Sequence, residues 1–130
     1  EGKEVIIINL FGILQDYFRY AKSVFVGKSL IEKLKYDSGQ NPIDAAYLNC
    51  KIYHGPYVSN FFEIYGMLKK NQISSEIRNY NELSENLGID LRDIQKNKED
   101  LPNKSIINFS QNILVKTMQT VESFLNDSPY

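Results

Sequence analysis

The chain has 130 residues, 42% of them hydrophobic and 24% charged, with a formal net charge of -1. Those values describe one soluble globular domain over residues 1–130 and exclude a disordered tail, a fibre and a membrane span, which needs about 20 apolar residues. A chain of this size buries enough surface to fold without metal or disulfide, and one cysteine, Cys50, makes no internal disulfide, which predicts a reducing, cytoplasmic setting.

Glu1 in place of Met reads as a trimmed start. Residues 5–14 are the stretch nearest to a signal segment; Asn9 interrupts them and no small-residue cleavage site follows, so they read as core. Across residues 4–26 the apolar positions Ile7, Leu10, Phe11, Leu14, Tyr17, Phe18, Ala21, Val24 and Phe25 recur at three and four residues, which predicts a long first helix. The β-branched run Val5-Ile6-Ile7-Ile8 is the alternative, a strand in a small α+β fold. Leu30, Ile31 and Leu34 then carry a short helix that stops in the turn-rich Asp37-Ser38-Gly39-Gln40-Asn41.

Asn41 before Pro42, with Asp44 two residues on, has the form of an N-cap, a first-turn proline and an acid near the helix dipole, and opens a helix to about Cys50. His54-Gly55-Pro56 breaks the chain. A helix follows with Val58, Phe61, Phe62, Tyr65 and Leu68 on its inner side, ended by Lys69, Lys70 and Asn71. Ser74 or Ser75 caps a further helix bearing Ile77, Tyr80, Leu83 and Leu87, with Gly88 as its C-terminal glycine. Asp90 caps the next piece, which runs out by Asp100, and Asn103 opens a long last helix to about Leu125. The predicted fold is therefore all-α, an irregular bundle of six to seven helices with the long first and last ones at its centre.

Catalytic and cofactor chemistry is mostly excluded. Cys50 and His54 lie four residues apart, which would put them on one helix face as nucleophile and base. However, Gly55-Pro56 ends that helix and no third residue orients the imidazole. One His and one Cys cannot supply a zinc motif, residues 90–100 lack the central glycine of a calcium loop, and the glycines are scattered too singly to cradle phosphate. No metal or cofactor is expected. A small helical enzyme using Cys50 and His54, or a carboxylate pair, is the second reading. A regulatory or viral bundle whose groove takes a partner helix is the third.

Charge and aromatic layout carry the first reading. Residues 76–100 hold seven acidic and four basic side chains, an excess that suits a basic partner. Tyrosines crowd the break around Gly55, and tyrosine serves interfaces because its ring is apolar and its hydroxyl still bonds. The expectation is a non-enzymatic protein-binding module, an immunity or antitoxin-like protein that blocks the active site of a basic bacterial toxin such as a nuclease. Its expected contacts are Glu76, Glu82, Glu85, Asp90, Asp93, Tyr53 and Tyr57. With dispersed lysines and arginines, direct nucleic-acid binding is not expected, and neither is membrane binding.

Overall fold

The computed structural model describes residues 7, 12–37, 40–93 and 102–126. It corrects the all-α expectation. A three-stranded parallel sheet of β1 (Ser23–Phe25), β2 (Lys51–His54) and β3 (Ser74–Glu76), in the order β1-β2-β3, forms the middle of the domain. Ile52 sits opposite Val24 on one side and Ser74 on the other, and Tyr53 lies between Phe25 and Ser75. The first helix, α1 (Leu14–Tyr20), ends at Ala21 in extended backbone, so Val24 and Phe25 belong to a strand. The expected break at His54 is the end of the central strand, and Ser74 and Ser75 lie in β3 instead of capping a helix. The alternative strand over residues 5–8 falls outside the described residues, Ile7 excepted.

Two of the three helix-to-strand junctions are built alike. Helix α2 (Ile43–Tyr47) leads into β2, and α3 (Phe62–Lys70) leads into β3. After α2, Cys50 N–H donates to Ala45 O and Asn49 N–H to Ala46 O. After α3, Ile73 N–H donates to Leu68 O and Gln72 N–H to Lys69 O. These are paired Schellman bonds, and the residue after the cap must take positive φ: Asn49 has φ 59° and Gln72 φ 58°. One non-glycine residue at each junction thus turns the helix directly into a parallel strand.

Helices α2 and α3 cover the face carrying Val24, Ile52 and His54. Ala45, Ala46, Cys50, Ile52, Val58, Tyr65, Leu68 and Ile106 form its core. The helix α4 (Tyr80–Arg92) follows β3 and reaches the opposite face through Asp90. It runs uninterrupted through Gly88, so that glycine is not a terminator and Asp90 is not a cap. The last helix, α5 (Lys104–Asn126), has the expected extent, and Asn103 Oδ1 accepts the Ser105 amide at its start. Ile106 enters the core beside α2, where Asn103 N–H also donates to Tyr47 O.

Candidate functional site

In a parallel sheet every strand delivers its following loop to the same edge, which is why ligands of such folds sit outside the carboxyl ends of the strands. Here the loops after β1 and β2 are tied to one another. Ser29, fully buried, donates its hydroxyl to Val26 O at 2.6 Å and accepts the Gly55 amide at 2.8 Å. Its carbonyl accepts the Tyr57 amide at 3.0 Å. Only glycine fits at 55: a Cβ there would lie 2.2 Å from Ser29 O. Beside it, exposed Lys28 holds a left-handed φ of 65°. A non-glycine residue in that region is strained and is held by its surroundings.

His54 closes β2 at this edge. The side chain is 3% exposed, and Nδ1 lies 2.7 Å from Gly55 O. A carbonyl only accepts, so Nδ1 carries the proton and Nε2 presents a lone pair. Burial holds the imidazole below its ordinary pKa, outweighing the Gly55 carbonyl and the nearby Glu76. It is therefore neutral at pH 7. Nε2 is buried without a hydrogen-bond partner among the described residues, as is Ser74 Oγ, which by strand register shares this face. Such an atom forgoes the bond it would make in water, and its lack of a partner calls for an explanation. The Tyr65 ring packs against the imidazole at 4.4 Å between centroids, its hydroxyl donating to Gln40 O. Burial pushes the Tyr65 phenol far up.

The opposite face carries a second polar group with a different character. Asp90 accepts from the hydroxyls of Ser23 and Tyr53 and from Lys51 Nζ, the last at 3.0 Å. Burial pushes its carboxyl up, but those three donors more than offset it and the net pKa lies below the usual carboxylate value. Lys51 is raised, with Tyr53 and Asp90 together overcoming desolvation. Lys22 Nζ donates to the backbone carbonyls of Asp90 and Asp93, a cation at the negative end of α4. This group is saturated with internal partners and clasps α4 to the sheet.

The residues expected to meet a partner are thereby dispersed. Tyr53 and Asp90 are buried against each other, Tyr53 completely and Asp90 to 8% exposure, and offer almost no surface. Glu82 is half-buried and turned back to accept from the Arg78 amide while Asn79 caps α4. Glu76 is exposed at the end of β3, Glu85 is exposed on α4 and Asp93 just past its end, and Tyr57 is half-buried in the loop tied to Ser29. Glu85 lines an open groove of about 680 Å³ with Asn81, Ser84, Gly88, Ile89 and Arg92. Glu99 and Asp100 lie outside the described residues.

The pairing of Cys50 with His54 fails on geometry. Cys50 precedes β2 and His54 ends it, so they lie along a strand and not on a helical turn, and four residues at about 3.3 Å each put them roughly 13 Å apart. Cys50 Sγ is directed to the carbonyls of Phe18 and Ala21 instead. Among the described residues no group of three His, Cys, Asp or Glu side chains is placed to hold a metal, and no helix is long and apolar enough to cross a membrane. Ser29 has no role in the sequence reading, Gly55 figures there only as a chain break, and Tyr65 is placed on the inner side of a helix, where it is indeed buried. The usable signal was an apolar run ending in Gly-Lys-Ser and another ending in His-Gly-Pro, the punctuation of two strands feeding loops at one edge. No protein-family model and no curated protein sequence matches the chain.

Proposed function

We propose that this domain binds a small polar molecule at the carboxyl edge of its sheet, through the crossed loops that carry Lys28, Ser29, His54 and Gly55. The observation that carries this reading is the buried His54, whose Nε2 has no hydrogen-bond partner among the described residues, set where parallel sheets take their ligands. A lone-pair acceptor selects a hydroxyl or N–H donor, so the ligand class is a hydroxylated or amide-bearing metabolite. Exposed Lys28 at the rim suits an anionic substituent on it. Tyr65 covers the imidazole and is the side chain that ligand entry would displace. A single, buried cysteine, Cys50, supports a cytoplasmic setting.

The test is a thermal-shift screen with nucleotides, sugar phosphates and amino acids, run on the wild type and on His54→Phe. A compound that raises the midpoint of the wild type and not of the variant supports the reading; equal shifts for both, or none with any compound class, overturn it.

A second reading, the protein-binding module that blocks a basic toxin, draws on the groove beside Glu85 and on exposed Glu76 and Asp93. Reversing Glu85 to Lys would then slow association with a basic partner and flatten its salt dependence. Unchanged binding would remove that groove from the interface.

A further inference from the structure

Among the described residues, nothing covers most of the apolar face of helix α5. Its first turn puts Ile106 into the core at 1% exposure, on the same angular face as Ile113 and Phe124 at 100° per residue. Beyond that turn the face continues as Ile113, Leu114, Met118, Val121, Phe124 and Leu125, all between 46% and 76% exposed. Together they span an arc of about 140°, wider than the seam of a marginal surface helix. Scattered exposed leucines need no account, but a contiguous apolar patch of this kind marks an interaction surface.

We infer that this face of α5 pairs with the same face of a second copy of the chain. Three observations single out that occupant. Leu114, Met118, Val121 and Leu125 are spaced four, three and four residues apart, the alternation with which two α-helices interlock, and a second copy brings an identical helix. Residues 105–126 contain one Lys and one Glu, Lys116 and Glu122, so two copies approach without like-charge repulsion, while a strongly charged partner finds nothing to complement. Six such side chains at roughly 100 Å² each, with their polar flanks, approach the 800 Å² or so that each partner contributes to a standard interface. A two-fold axis then places each patch on itself and closes the assembly at two.

The experiment is sedimentation velocity on the whole 130-residue chain from about 1 to 100 µM, beside the double variant Met118→Glu, Leu125→Glu. Both positions are more than half exposed, so the variant keeps its fold, which far-ultraviolet circular dichroism verifies. The expected result is a concentration-dependent shift from the 15.1 kDa monomer to twice that mass, with association at least tenfold weaker in the variant. A wild type that stays monomeric throughout, whether because another segment or another protein covers the face, overturns the inference. So does a dimer that survives both substitutions.

Discussion

The Gly55 amide donates to Ser29 Oγ at 2.8 Å, and a Cβ on Gly55 would stand 2.2 Å from the carbonyl oxygen of that same Ser29. One serine therefore fixes both the hydrogen bonding and the closest approach of two loops that leave neighbouring strands. The carboxyl edge is rigid by construction, and rigidity of this kind is what a binding site on loops requires.

Gly55→Ala is accordingly the most damaging small substitution at the edge. Backbone atoms of Ser29 and Leu30 cannot withdraw as a flexible side chain would. The expected cost is about 3 kcal/mol or a rearranged pair of loops, read as a lowered urea midpoint together with amide shift changes at residues 28–31 and 55–57.

Asp90→Asn tests the clasp on the other face. The carboxylate pKa is depressed in the folded chain, so its contribution is present above the unfolded value of about 3.9 and is lost as pH falls through the folded value. The variant is expected to be less stable by about 2 kcal/mol at pH 7. The gap between variant and wild type narrows steadily under acid conditions. Urea unfolding at pH 7 and at pH 3 measures both.

His54 carries the opposite charge type and its own pH window. Its folded pKa is lowered by burial, so protonation favours the unfolded chain. Stability is unaffected by this group above about pH 6.5 and declines as pH falls below that value toward the folded pKa. In His54→Phe the slope of the unfolding free energy between pH 7 and pH 5 is expected to flatten.

Gln72→Gly is expected to stabilise the domain. Gln72 holds φ 58° at the second Schellman junction, where a side chain is strained and glycine is not. A gain of about 0.5–1 kcal/mol, reduced by the extra freedom glycine brings to the unfolded chain, appears as a raised urea midpoint.

Much of the helical layout was legible in the sequence, and the sheet was not. Asn103 and the stripe from Ile106 to Leu125 marked α5 because a helix of 23 residues repeats its pattern many times. Strands of three or four residues such as Ser23–Phe25 and Ser74–Glu76 offer no repeat to read, and a parallel strand covered on both faces, as at Ile52 and Tyr53, lacks the polar alternation that betrays a half-exposed one. The helix-to-strand turns were hidden for a related reason: Asn49 and Gln72 do the work usually given to glycine. Without β2, Tyr53 reads as a surface contact and Asp90 as a cap and a contact, although the two are hydrogen-bonded in the interior. The same omission hid the edge at Ser29, His54 and Gly55, since nothing but the parallel sheet brings those loops together.

The most direct measurement of the central claim is a ¹H–¹⁵N correlation titration of the wild-type chain with a compound found to stabilise it, including the ring nitrogens of His54. The account predicts shifts concentrated at Lys28, Ser29, His54, Gly55 and Tyr57, with His54 Nε2 moving as an acceptor gaining a donor while Nδ1 keeps its proton. Shifts confined to α4 or α5, with His54 Nε2 unmoved, would contradict it.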